Sequence, residues 1–462
     1  MKSKKLMVIG LDCAAPSLIF ERWRDQLPNL SRLMEKGVYG ELTSTIPPIT
    51  VPAWSCMMSS KDPGQIGIYG FRNRKDHSYN GLSFANSNSL KVDMVWDILG
   101  KNDKKSIVIG FPPSYPVKPI NGHLVSCFLT PDAKSQYTHP PELKTELEEH
   151  VGPYIPDVLN FRTDDKEYLL EQLYAMTKNH FDYAEYLVAN KEWDYFFMVD
   201  MGVDRIHHGM WKFSDPSHAG FVPGNQYENS IRDFYIYSDK RIGELLELVD
   251  SDTTVMVVSD HGAKSMVGGI CINEWFIKEG YLKLTGTPEG LQPPIKVGID
   301  WDQTTAWGEG GYYSRIFLNV QGREENGTIA PEDYEKVRDE LISKLEALGD
   351  EEGNHIGTKV FRPEDIYKEV NGVAPDLIAI FGDLNWRSVG TVGHGSVHTR
   401  KNDTGPDDAN HAQEGIYILN APEVPQTSSP QHAHIYDVAP TILKLYDIPA
   451  PGDWIGKPFD FV

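Results

Sequence analysis

The chain has 462 residues, 40% hydrophobic and 24% charged. That length suits one large α/β domain with insertions, or two or three average domains, and the composition excludes collagenous, low-complexity and disordered classes. The formal net charge of −22 argues against a nucleic-acid partner, because such binding rests on Lys and Arg neutralising phosphates.

Most of this acidity serves solubility, with room for a group of carboxylates gathered around cations. The four cysteines, Cys13, Cys56, Cys127 and Cys271, are scattered without a C-x-x-C pair. Neither a zinc ribbon nor a disulfide framework is expected, and buried free thiols in a reducing compartment are.

Met1 to Lys5 is basic and Leu6 to Leu11 apolar, which resembles the start of a signal peptide. The apolar run is short, ends at Asp12 and lacks a small-residue cleavage site. It reads instead as a first strand. No stretch approaches the roughly 18 apolar residues of a membrane helix. A soluble, cytoplasmic protein with no membrane partner is expected; the oligomeric state is not readable.

The runs Leu6 to Leu11, Ser106 to Ile109, Tyr195 to Val199, Thr254 to Val258, Leu377 to Phe381 and Gly415 to Leu419 are apolar on both faces, as parallel strands require. Helical patterns lie between them. Leu30, Leu33 and Met34 recur at helical spacing, with Gly37 as a stop. Asp165 to Asn190 reads as a long amphipathic helix with Tyr168, Leu169, Leu173, Met176 and Tyr183 on one broad face. Another helix runs from about Tyr227 to Val249. Strands alternating with helices predict a doubly wound α/β sheet with helices on both faces.

Phe111 to Pro119 reads as a loop. Thr285 to Pro294 is rich in Gly and Pro, and the pattern after it, to about Gly382, reads as an insertion. Ser388 to Ala412 reads as a long polar loop with three histidines. We therefore expect residues 1–284 and 400–462 to form the catalytic core and residues 285–399 an inserted cap.

Three strands end in potential ligands: the first at Asp12, another at Asp200 to Asp204, another at Ser259-Asp260-His261-Gly262. Ligands bind beyond the carboxyl ends of strands in such sheets. Asp12, Asp204, Asp260 and His261 should therefore converge. Carboxylates so gathered repel one another, and one or two divalent cations would neutralise them. His208 follows Asp204 by four residues and shares its face of a helical turn. Asp and imidazole together suit Zn²⁺, with Mn²⁺ as a substitute. Thr50 precedes Val51-Pro52, so a helix should start just after it. A hydroxyl there faces a positive dipole and free N–H groups, a natural phosphate seat, and metal coordination can activate it. Each residue also has a plainer reading: Thr50 as a cap, Asp12 likewise, Asp204 and His208 as a surface pair, Asp260-His261 as a turn.

Read together, the blocks Val8 to Asp12, Pro47 to Trp54, Asp204 to His208, Ser259 to Gly262, His411 to Pro422 and Tyr436 to Leu443 resemble the alkaline phosphatase superfamily, in its type I phosphodiesterase/nucleotide pyrophosphatase branch. The resemblance implies that Asp12, Asp260 and His261 bind one metal beside the nucleophile Thr50, and that Asp204, His208 and His411 bind the other. It selects His411 over His394, His398, His432 and His434, and leaves His207 as a spare imidazole. It implies hydrolysis of a small-molecule phosphoester with two divalent metals. The alternatives are a phosphomonoesterase or phosphomutase of the same superfamily, or a catalytically silent metal-binding protein. The chain departs from the family pattern where nucleotide pyrophosphatases place a phosphate-holding Asn: Phe71 stands near that place, with Arg72 and Asn73 next. Trp54, Arg72 and the His394/His398 loop are candidates for substrate contact, each with a packing or solvated-loop reading.

Overall fold

The computed structural model describes residues 4–422, 424, 426–427 and 429–462. Met1, Lys2 and Ser3 of the basic start lie outside them. A nine-stranded sheet organises the chain. Its strands are β1 (Leu6–Leu11), β2 (Val38–Thr43), β3 (Ser106–Ile109), β4 (Gly122–Val125), β5 (Thr138–His139), β6 (Tyr195–Asp200), β7 (Thr254–Val258), β8 (Glu414–Asn420) and β9 (Gln431–His434). Their spatial order is β9-β2-β8-β7-β1-β6-β3-β4-β5.

The middle of the sheet is parallel: β1 pairs with β6 and β7, and β3 with β6 and β4. Every residue of β1 and β6 is buried. Both faces of these strands are covered, which is why they are apolar without alternation. β8 runs antiparallel to both β7 and β2. The run Gly415 to Leu419 is thus a buried strand of the opposite direction, since burial on both faces does not encode strand polarity.

The main helices are α1 (Pro28–Lys36), α2 (Thr50–Ser59), α3 (Lys166–Asn190), α4 (Gly202–Ser214) and α5 (Ser230–Leu246). α1, α3, α4 and α5 pack together on one face of the sheet, and α2 packs with the helices Val95–Lys101 and Val438–Leu445 on the other through the last of these. Asp165 caps α3, accepting from the Tyr168 amide. Leu169, Leu173, Met176 and Tyr183 of α3 are buried, whereas Tyr168 is exposed.

A second sheet of four antiparallel strands joins Ala306–Glu309, Ser314–Leu318, Leu377–Ile380 and Lys359–Phe361 in that spatial order. The predicted strand at Leu377 to Phe381 belongs here and not to the parallel sheet. Its core includes Ile316, Leu318, Leu341 and Leu377, together with Ile270, Ile272 and Phe276 from earlier in the chain. The stretch Ser388 to Ala412 is more ordered than a loop: it holds the end of the strand Trp386–Val389 and the strands His398–Thr399 and Ala409–Ala412. Among the described residues no helix is long and apolar enough to cross a membrane.

Candidate metal centre

Register places the strand ends level. Leu11 lies beside Asp200, Gly10 beside Val258, and the Asp12 amide donates to the Asp200 carbonyl. The chain then leaves β1 at Asp12, leaves β6 through the first turn of α4 at Asp204, and leaves β7 at Asp260-His261. His208 is one turn further along α4. His411 arrives by a different route: Ala409–Ala412 pairs antiparallel with Gly262–Ser265, with His411 opposite Ala263. Its ring stacks on His261 with centroids 3.8 Å apart.

The donor atoms of Asp12, Asp260 and His261 lie within 4.8 Å of one another, and so do those of Asp204, His208 and His411. The two predicted trios are therefore each brought together, and all six residues are buried. Each imidazole turns Nε2 inward and anchors Nδ1 outward. His208 Nδ1 meets Asp407 Oδ1 at 2.7 Å, His411 Nδ1 donates to the Pro48 carbonyl at 2.8 Å, and His261 Nδ1 lies 3.1 Å from the Gly262 carbonyl. This arrangement fixes ring orientation and leaves Nε2 facing the cluster, where it could act as a ligand. His208 Nε2 and His411 Nε2 are 3.3 Å apart, a contact between ring nitrogens that a shared cation or proton must relieve.

The carboxylates are likewise held by one oxygen. Asp12 Oδ2 accepts from Trp54 Nε1 at 2.7 Å, Asp260 Oδ1 from the Cys13 amide at 3.2 Å, and Asp204 Oδ2 from Arg205 at 2.6 Å. The other oxygens, Asp12 Oδ1, Asp260 Oδ2 and Asp204 Oδ1, are buried and lack a well-aligned hydrogen bond, although His261 Nε2 lies 3.1 Å from Asp260 Oδ2 and His208 Nε2 3.2 Å from Asp204 Oδ1. Unsatisfied buried carboxylate oxygens are expensive. Three converging with three imidazole nitrogens fit divalent cations.

The charge balance points the same way. Burial, then repulsion from Asp204, pushes the Asp12 carboxyl well above its ordinary range, and burial with Asp12 does the same to Asp260. Burial opposes ionisation of Asp204 too, but His208 and Arg205 outweigh it and hold the group well below its usual value. Burial is likewise outweighed at His208, where Asp407 and Asp204 raise it to about 10. Burial and neighbouring imidazoles lower His411 to about 4 and His261 well below its ordinary value. The cluster is short of positive charge.

Thr50 is the first residue of α2. Ile49 occupies the cap position, and among the described residues the Thr50 hydroxyl makes its side-chain contact with His261 and not with the helix end. Thr50 is 2% exposed, and its Oγ1 lies 3.4 Å from His261 Nε2. Cys13, in a left-handed conformation with φ of 66°, donates from its thiol to the Gly262 carbonyl at 3.3 Å. Its sulfur also falls within 4.8 Å of ring nitrogens of His261 and His411, a proximity the sequence reading missed.

The remaining candidates separate cleanly. His207 is buried against Trp211 and Tyr235, with Nε2 3.2 Å from the Tyr235 hydroxyl, a packed imidazole. Trp54 is wholly buried and orients Asp12. Asn73 folds back on its own turn, its amide bonding Tyr69 and Gly70, while Arg72 lines the cavity above the centre. His394 bonds Thr391 and His398 the Gly349 carbonyl; neither lines that cavity. Sequence reasoning also missed Asp407, which buttresses His208, and Tyr312, whose ring stacks on that of His208 at 4.9 Å. The only available signal was their place: Asp407 sits four residues before His411.

Three carboxylates and three imidazoles at the carboxyl edge of a doubly wound sheet, facing a hydroxyl at a helix start, define an α/β protein of the alkaline phosphatase type. The chain belongs to the type I phosphodiesterase/nucleotide pyrophosphatase family, whose model matches residues 6–407, a family of phosphoester hydrolases. Solved structures share the fold across nearly their full length. Human ectonucleotide pyrophosphatase/phosphodiesterase 5 is 13% identical, with a TM-score of 0.56, over 97% of this chain and 96% of its own. Its murine counterpart, an inactive form in complex with AMP, gives the same values. Phosphonoacetate hydrolase from Sinorhizobium meliloti, in complex with phosphonoacetate, is 15% identical with a TM-score of 0.61 at the same coverage. Comparison with the curated proteins finds no match.

Proposed function

We propose that the protein hydrolyses a small-molecule phosphodiester or phosphoanhydride with Thr50 as nucleophile. Asp12, Asp260 and His261 would hold one divalent cation, and Asp204, His208 and His411 a second. The observation that carries this reading is the buried Thr50 hydroxyl beside a buried donor set in which three carboxylates and three imidazoles converge. The mixed carboxylate and imidazole donors suit Zn²⁺, with Mn²⁺ accommodated. Cations bound there would supply the positive charge that favours the Thr50 alkoxide and balances the phosphoryl oxygens.

The residues do the rest. Thr50 Oγ1, having lost its proton to solvent, attacks phosphorus in line. The Oγ1–P bond forms as the bond to the leaving oxygen breaks, and that oxygen departs with the electron pair. The Thr50 and Val51 amides, in the first turn of α2, lack intrahelical acceptors and can face a phosphoryl oxygen. Water then attacks the same phosphorus, the Oγ1–P bond breaks as the new P–O bond forms, and the water gives up its proton while Oγ1 takes one back, which releases the phosphoryl product and restores the hydroxyl. Asp407, Pro48 and Trp54 keep the ligands in place throughout. Residues 285–399 act as a cap that shapes the substrate pocket. The ligands of the solved relatives, AMP and phosphonoacetate, are small phosphorus oxyanions, which supports this substrate class.

The test is hydrolysis of bis(p-nitrophenyl) phosphate and p-nitrophenyl phosphate by metal-stripped protein with Zn²⁺ or Mn²⁺ restored. Metal-restored cleavage that prefers the diester is expected. Preference for the monoester would move the assignment to a phosphatase or phosphomutase. Cleavage undiminished by metal removal would contradict the proposal.

A further inference from the structure

The cavity over Thr50, His208 and His411 has a volume of about 790 Å³ and reaches Arg72, Arg315 and Arg387. Arg315 lies on the strand Ser314–Leu318 and is only 7% exposed. Among the described residues its guanidinium makes one hydrogen bond, to the backbone carbonyl of Arg72, and it forms no ion pair. Most of its N–H donors are therefore left over. A buried guanidinium without a counter-charge is costly to maintain.

The nearby acids do not answer this need. Glu309 faces Arg315 across the strand pair, yet no ion pair joins them. Glu309 lines the same cavity but lies beyond ion-pair distance, and burial, against Arg315 and Arg72, pushes its carboxyl up. Asp403 serves Arg387, at 3.7 Å. Arg72 is exposed, lies over the Phe84 ring at 5.0 Å and likewise has no ion pair among the described residues. The bond from Arg315 to its carbonyl holds the two residues side by side.

This pair is close to the reacting centre. Tyr312 stacks on His208 and has its ring centroid 4.3 Å from that of His411. Arg315 follows three residues later, at most about 11 Å along the chain. A net charge of −22 repels anions at long range, so local arginines matter for collecting them.

We propose that Arg315 and Arg72 form a subsite for a second anionic group, a phosphate or a carboxylate, on the part of the substrate that points away from the reacting phosphorus. The proposal rests on the reading of the centre as a phosphoester hydrolase.

Inhibition of bis(p-nitrophenyl) phosphate hydrolysis tests it, at constant free metal. The probes are methylphosphonate, phosphonoacetate and 3-phosphonopropionate, and methylene- and ethylene-bisphosphonate. In the wild type the best two-armed anion should bind about tenfold or more tighter than methylphosphonate, the loss of a charged hydrogen bond being worth about that factor. Tighter carboxylate arms would identify a carboxylate, tighter bisphosphonates a phosphate. Arg315→Gln and Arg72→Gln should each remove most of that advantage while leaving the methylphosphonate constant nearly unchanged. Arg72 is exposed, so its variant decides the matter even if Arg315→Gln fails to fold. Hydrolysis and methylphosphonate binding that persist without any two-armed advantage, or with one that both variants keep, would overturn the subsite and spare the hydrolase reading. A metal-loaded wild type that neither cleaves the diester nor binds any phosphonate would overturn that reading, and the subsite with it.

Discussion

Asp407 is the residue on which His208 turns. Its Oδ1 lies 2.7 Å from His208 Nδ1, while Arg162 and the Tyr312 hydroxyl bond Oδ2. Replacement of such a buttressing carboxylate costs about 10–100-fold in metal affinity. Asp407→Asn should show that loss in a chelator competition. The same pair sets a pH dependence in metal-stripped protein. Folded His208 sits at about 10, above the roughly 6.5 of an unfolded histidine. Its contribution is full below the unfolded value and is lost as pH rises toward 10, on the order of 3–5 kcal/mol for this buried group. Denaturant melts of stripped protein should thus weaken from pH 6.5 to 10, and His208→Gln should flatten that slope. His411, lowered to about 4, acts oppositely: stability falls as pH drops from about 6.5 toward 4, because the unfolded chain takes the proton first. Asp12, Asp204, Asp260 and His261 were legible as candidates because each stands at or just past a strand end, and His208 because it follows Asp204 by one helical turn. His411 was not separable from its rivals by chemistry alone, since its position depends on a long-range pairing with residues 262–265. Asp407 and Arg315 were invisible because a buttress and an unpaired buried charge exist only in the packed state.

At the scale of elements, α2 and β1 are locked by a missing side chain. A Cβ on Gly10 would lie 2.6 Å from the Trp54 ring and 2.9 Å from the Met198 carbonyl. Trp54 in turn orients Asp12. Gly10→Ala should cost about 1–3 kcal/mol as overpacking, and it should also lower metal occupancy by shifting the indole. Thermal melts and metal analysis check the two effects together; a stability loss with full occupancy would mean that Trp54 does not position Asp12. The strands were readable where both faces are buried, but their direction was not. Gly415 to Leu419 and Leu377 to Phe381 share the composition of β1, yet one is antiparallel in the main sheet and the other belongs to the four-stranded sheet. Periodicity reports burial, and pairing is decided by partners far away in the chain. The helix start at Thr50 was legible because Pro52 suits only the first turn.

At the scale of the molecule, the centre joins β1, β6, β7, α2, α4 and the strand Ala409–Ala412, so cations bound there would bridge segments remote in sequence. Metal binding to the folded state alone adds about 2.7 kcal/mol at a hundredfold excess over Kd. Chelation should therefore lower the melting temperature by several degrees while the far-ultraviolet signal of the folded chain stays unchanged, because the sheet core is apolar and independent of the centre. Re-addition of Zn²⁺ should restore the loss. The alkaline phosphatase-like architecture was legible from alternating strands and helices, whereas the shape of the cavity was not, because residues 285–399 carry no periodic signal of which side chains face it. The most direct test of the account is Thr50→Ala measured beside the wild type, for metal content and for diester hydrolysis in the same preparations. The account predicts two divalent ions per chain in both proteins, and a fall in kcat of at least about three orders of magnitude in the variant, the scale seen when a nucleophile is removed. A variant that cleaves at the wild-type rate would contradict it.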